Sequence, residues 1–177
     1  MITIFDTETT DLLKPKGNSL SVQPHIVEIY AAQIDMEDDE KIVCESHHYL
    51  RAPVPSSKGA FATHRITEEF LRDKPVFGDV WVDIADAFFG SHTVVGHNLS
   101  FDMWMIIFEL QRIGKEFNFP YPPIWFCTVE QSMHLRGHRL KLSELFKIAT
   151  DKEMVDAHQA KVDVMADFEC YKYLVGE

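Results

Sequence analysis

Four carboxylates and one imidazole are the residues of this chain whose types and spacing could do chemistry together. Asp6 and Glu8 stand one residue apart where the apolar run Ile2-Thr3-Ile4-Phe5 ends. Side chains alternate along a strand, so Ile2, Ile4, Asp6 and Glu8 share one side and Thr3, Phe5 and Thr7 the other. Such a strand carries its apolar residues into a core and delivers both acids together where it emerges. Two like charges that close repel, and a hard divalent cation with oxygen ligands is the natural partner between them. Asp102 falls in the first turn of an expected helix, and Asp163 one to two turns into the last one. Open α/β sheets gather working residues at the carboxyl ends of their strands. His158 precedes Asp163 by five residues, an offset that does not fall on one helix stripe. It must reach the acids from a loop or a frayed first turn, which suits a general base beside a fixed ligand.

The elements that must position these groups can be read from punctuation and period. The first strand is expected to run to about Glu8. Residues 14–24, rich in Pro, Gly, Ser and Asn, read as a loop beside it. Ile26 to Ile34 and Ile42 to Leu50 are β-prone runs around an acidic tip and read as a hairpin. Glu28, in the first run, could face the site but reads first as a plain cross-strand polar residue. Ala52 to Lys58 is expected to be extended loop, and Thr67 followed by Glu68 and Glu69 reads as a helix cap with acids against the dipole. Helical spacing predicts a helix over Val76 to Phe89. Thr93 to Gly96 reads as a buried strand, followed by a helix over Ser100 to Ile113 that is apolar nearly all round and so expected to be buried. Ile124 to Thr128 gives a last strand, 129–136 and 142–149 short helices, and Ala157 to Leu174 a final helix capped by Asp156. Strands first, then strands alternating with helices, give an α/β sheet covered by helices.

Composition narrows the class. A chain of 177 residues with 46 % hydrophobic and 25 % charged residues is expected to form one soluble globular domain, 1–177. Cys44, Cys127 and Cys170 are odd in number and far apart, which points to a reducing, cytoplasmic setting. No run approaches the ~20 apolar residues of a membrane span, and Met1 leads straight into a strand without a basic leader. A net charge of −11 argues against a protein that coats itself in nucleic acid. It leaves room for gripping a few nucleotides where bound cations set the local field.

Three segments in chain order then carry a resemblance: Phe5-Asp6-Thr7-Glu8-Thr9, His97-Asn98-Leu99-Ser100-Phe101-Asp102, and His158 with Asp163 five residues on. They resemble the three motifs of the DEDDh, or DnaQ-like, 3′–5′ exonucleases. His64-Arg65-Ile66-Thr67-Glu68, with Lys74-Pro75 after it, and Cys127-Thr128 look familiar from the same family, the first most like exonuclease X and proofreading subunits. The loop at 14–24 and the strong acidity are departures from it.

The resemblance implies an RNase H-like fold, a mixed five-stranded sheet flanked by helices. It implies two divalent cations, Mg²⁺ or Mn²⁺, at Asp6, Glu8, Asp102 and Asp163, with Asp6 bridging both and His158 taking the proton from the attacking water. Thr7, Thr9, Leu12, His64 and Phe101 would stand near the terminal nucleotide, and Asn98 would donate to phosphate or brace the site. The expected substrate is a DNA 3′ end, single strands preferred, with a polymerase or a second copy as possible partner and no membrane. An RNA-degrading relative and a catalytically silent nucleic-acid-binding module are the rival readings. Zinc at Cys44 with His47, or at His134 with His138, is disfavoured because no Cys-x2-Cys pair exists.

Overall fold

The computed structural model describes residues 1–155 and 158–176. In chain order its elements are β1 (Ile2–Thr9), β2 (Ile26–Asp35), β3 (Lys41–Tyr49), α1 (Lys58–His64), α2 (Glu68–Leu71), α3 (Phe77–Asp86), β4 (Thr93–Gly96), α4 (Leu99–Arg112), β5 (Ile124–Cys127), α5 (Thr128–Arg136), α6 (Leu142–Thr150) and α7 (Ala160–Val175). The strands form one mixed sheet in the order β3-β2-β1-β4-β5. β1 pairs antiparallel with β2 and parallel with β4, so the C-terminal ends of β1 and β4 open at one edge.

The alternation along β1 decides which layer each residue serves. Phe5 packs on the face shared with Ile84, Phe88, Leu99, Met103 and Ile106, under α3 and α4. Ile2 and Ile4 pack on the opposite face with Val164 and Phe168 of α7. Asp6 and Glu8 continue the Ile2–Ile4 side and so emerge toward α7, while Thr7 emerges toward α4. A sheet with both faces covered buries its central strand, so β1 is apolar before the carboxylates except at Thr3, whose hydroxyl donates to the Ala87 carbonyl at 2.7 Å.

Several expectations are corrected at their boundaries. The helix expected over Val76 to Phe89 is α3, with Val76 as its N-cap. The chain leaves the helix early and drives Phe88 into the core, edge-on to Phe5 at a centroid distance of 5.1 Å. α4 is not buried all round: Trp104 is 47 % exposed and stacks on Phe108 along an outer face. The extended loop ends at Ser57, whose hydroxyl accepts from Ala60 N and starts α1, a helix its Gly59 hides from a propensity reading. The final helix begins at Ala160, because His158 sits at φ 72 in the left-handed region, where a right-handed helix cannot continue. The proposed cap Asp156, and Ala157, lie outside the described residues. Asp163 therefore stands in the first turn.

Other readings match. Thr67 Oγ1 accepts from Phe70 N at 3.1 Å. Glu28 pairs across the hairpin with His47 Nε2 at 2.9 Å. The 14–24 loop contains one 3₁₀ turn, Leu20–Val22, and is tied down by Arg112. Arg112 Nη2 donates to the carbonyls of Leu20, Gln23 and Pro24 at 3.2, 2.8 and 3.0 Å. Among the described residues no helix is long and apolar enough to cross a membrane.

Candidate active site

The carboxyl ends of β1 and β4 can approach because Gly96 lacks a side chain. A Cβ there would lie 3.0 Å from Leu99 Cδ1 and 3.4 Å from the Phe5 carbonyl. Beyond Gly96 the chain turns through Asn98, at φ 69, and starts α4, which presents Asp102 from its first turn. Thr7 then takes hold of Asp102 twice: its backbone N–H and its hydroxyl both donate to Oδ1, at 3.1 and 2.6 Å. One residue of β1 thus orients a carboxylate from the opposite side of the sheet, and its neighbours Asp6 and Glu8 face α7.

α7 brings Asp163, whose two carboxylate oxygens accept from the backbone N–H of His158 at 3.3 and 3.2 Å. That contact folds the left-handed turn at His158 back onto the helix start. Ligand atoms of Glu8, His158 and Asp163 all lie within 4.8 Å of one another. His158 is exposed and Asp163 is 9 % exposed, so a fixed acid is paired with an accessible imidazole.

The electrostatics are those of crowded negative charge. Burial, reinforced by the charges of Asp102, Asp163, Glu8 and Asp167, pushes the Asp6 carboxyl well above its ordinary range. Burial and then Asp163, Glu28 and Asp102 push Glu8 up to about 8. Burial raises Asp102 to about 7 against the pull of the Thr7 hydrogen bonds, and Asp163 to about 6 against that of His158. β1 and β2 even place Glu8 directly opposite Glu28, a like-charged pair that costs stability by itself. Oxygen ligands held together against their own repulsion fit a divalent cation.

Asp167 was missed in the sequence. It is 3 % exposed, its Oδ1 accepts from Thr128 Oγ1 at 2.6 Å, and its Oδ2 is buried without a hydrogen-bond partner. Burial, with Asp102 and Asp163 nearby, raises it to about 7. The signal was present, since four residues separate it from Asp163 on one helix stripe. Thr128 also contacts His97 Nδ1 at 3.0 Å, and His97 Nε2 donates to the Leu140 carbonyl at 3.2 Å. Burial lowers His97 to about 4.

Two cavities flank the carboxylates. One, of about 340 Å³, is lined by Thr7, Glu8, Thr9, Leu12, His64 and Phe101 among others. It gathers five of the six residues expected near substrate. His64 Nδ1 accepts from Ile66 N at 2.9 Å, which leaves the proton on Nε2, buried and unpartnered. The sixth, Asn98, belongs to the second cavity, of about 660 Å³, with Asp6, His158 and Asp163. Its Oδ1 accepts from Arg139 Nη2 at 2.7 Å. Arg139 and Lys141, which line this cavity too, also escaped the sequence reading.

The exonuclease family model of RNase T matches residues 3–171. The chain belongs to that family. Exodeoxyribonuclease 10 of Escherichia coli (strain K12) is 33 % identical over 172 residues, 97 % of this chain and 64 % of the relative. The chain thus spans just under two thirds of that relative's length. The DNA polymerase III subunit epsilon of Salmonella typhimurium (strain LT2) is 29 % identical over 98 % of this chain and 70 % of its own. A solved structure of exonuclease X in complex with 5′ overhanging duplex DNA superposes with a TM-score of 0.67 at 27 % identity, covering 99 % of this chain and 92 % of the other. The resemblance to the DEDDh exonucleases and the expected RNase H-like fold are both borne out.

Proposed function

We propose that this chain removes nucleoside 5′-monophosphates from the 3′ ends of DNA, single strands preferred, in a reaction that depends on two divalent cations, Mg²⁺ or Mn²⁺. The convergence of Asp6, Glu8, Asp102 and Asp163, all with raised carboxyl pKa values and with no Lys or Arg paired to them among the described residues, carries this reading. Asp6 feels the charge of all the others, and Asp6, Glu8, Asp102 and Asp163 would together hold the cations. Bound there, the cations would polarise the scissile phosphate and make a water acidic enough to attack it.

The protein's own groups do the rest. Thr7 fixes Asp102 by two hydrogen bonds, so that acid needs no reorganisation during the reaction. His158, exposed next to Glu8 and Asp163, accepts the proton of the attacking water as general base. The 340 Å³ cavity takes the terminal nucleoside. Its walls offer Phe101 and Leu12 as apolar surface and the Nε2–H of His64 and the hydroxyl of Thr9 as polar contacts. The names of the two sequence relatives support DNA as the polymer. The epsilon relative's name also motivates a polymerase partner.

Single-stranded DNA labelled at either end, duplex DNA and RNA, each with Mg²⁺, Mn²⁺ or EDTA, test the reading. It expects mononucleotides released from the 3′ end of DNA and silence in EDTA. Hydrolysis that persists in excess EDTA, or release only from a 5′ end, overturns it.

A further inference from the structure

The two cavities differ in a way that assigns the second one. They meet at the carboxylates, the smaller sharing Glu8 and the larger sharing Asp6 and Asp163. A phosphodiester cut at those acids has one nucleoside on each side. The 340 Å³ space suits one terminal nucleoside, and among the described residues no Lys or Arg lines it. The 660 Å³ space is twice as large and is lined by Arg139 and Lys141, with Leu142 and Met154 as apolar surface. In a chain with 17 Lys and Arg against 28 Asp and Glu, two cations on one cavity wall mark the place for an anion.

Arg139 is also aimed. Asn98 stands at the junction of β4 and α4 in the left-handed conformation at φ 69, and its Oδ1 holds one guanidinium nitrogen at 2.7 Å. A guanidinium has five N–H donors, so the brace leaves most of them for a phosphate. No carboxylate is paired with Arg139 or Lys141 among the described residues.

We propose that the larger cavity is the subsite for the penultimate nucleotide and that Arg139, braced by Asn98, grips the phosphodiester immediately 5′ to the scissile one, with Lys141 beside it. This rests on the exonuclease reading and adds to it the residues that set how the strand lies before cleavage. Arg139 is exposed and outside the apolar clusters, so its replacement leaves the core intact.

The test uses metal-loaded full-length protein and a single-stranded oligodeoxynucleotide. A second oligonucleotide carries one neutral methylphosphonate at the linkage 5′ to the scissile bond. Arg139→Ala should raise KM by about 10- to 100-fold, the worth of one charged hydrogen-bonded contact, with kcat nearly held. It should also flatten the salt dependence of binding by about 0.7 in slope, one single-strand phosphate. Arg139→Lys should recover part of the loss. The methylphosphonate should raise the wild-type KM similarly and make Arg139→Ala no worse. An equal additional loss on the methylphosphonate substrate, an unchanged KM on both, or a fall confined to kcat overturns the assignment. A wild-type protein that binds both oligonucleotides but cleaves neither overturns the exonuclease reading instead, and the methylphosphonate comparison on Kd then decides Arg139 separately.

Discussion

Two buried acidic centres lie within a few turns of each other and behave in opposite ways. Glu109, on α4, is held through one oxygen: its Oε1 accepts from Ile26 N at 3.1 Å, sits 3.0 Å from His25 Nδ1 and 3.0 Å from Arg112 Nη1. Among the described residues, Asp6, Glu8, Asp102 and Asp163 face one another, further acids, a few hydrogen-bond donors and an exposed imidazole, with no Lys or Arg paired to them. A buried carboxylate with a guanidinium and other donors around it is a strut, and Glu109 joins α4, β2 and the 14–24 loop. Buried carboxylates without a guanidinium store repulsion, which the fold tolerates only because the surrounding β1, β4 and α7 are over-determined by apolar packing. The contrast separates charge that holds the structure from charge that waits for a cation.

That contrast can be broken by substitution. The largest expected effect is Asp6→Asn, which should reduce 3′-end hydrolysis to background while the chain stays folded, read by product release beside circular dichroism. His158→Ala should lose ~10²–10⁴-fold in rate with metal affinity nearly intact. A loss of affinity matching that of Asp163→Ala in calorimetric titration would make His158 a ligand and not a base. At the other centre the sign reverses: Arg112→Ala should destabilise by about 3–5 kcal/mol in urea melts, because it leaves a buried carboxylate short of a cation and releases three loop carbonyls. A cost under about 1 kcal/mol would mean that Glu109 is not the strut it appears in the geometry.

A subtler effect is in pH. Carboxylates whose pKa is raised on folding hold extra protons in the folded state, so stability present below the ordinary values near 4 is lost as pH climbs. For the metal-free protein the loss should extend through about 6 for Asp163, 7 for Asp102 and 8 for Glu8. Asp6→Asn should flatten that fall. Thermal melts in EDTA from pH 4.5 to 8.5 check it, and a wild-type stability that rises across this window would contradict the cluster.

Most of the fold was legible because its signals are local. Alternation placed Asp6 and Glu8 on one side of β1, and the Thr67 cap and the Thr93–Gly96 strand needed only neighbouring residues. What escaped depends on tertiary placement. The start of α7 is set by the left-handed turn at His158 that Asp163 holds, and no propensity reports that. Arg139 faces Asn98 across 41 residues of sequence. Trp104 is exposed because the outer face of α4 is uncovered there, a fact absent from its apolar pattern. Asp167 alone was readable and passed over, since its spacing from Asp163 is that of a helix stripe.

The central claim is that Asp6 belongs to a carboxylate cluster built for cations, and thermal melts of wild type and Asp6→Asn, each in EDTA and in saturating Mn²⁺, test it most directly. Wild type should gain about 2.7 kcal/mol at a hundredfold excess over Kd. Asp6→Asn should lose most of that gain, yet be as stable as wild type in EDTA or more so. Equal Mn²⁺ shifts in the two proteins, with the variant less stable in EDTA, would make Asp6 a structural residue and contradict the account.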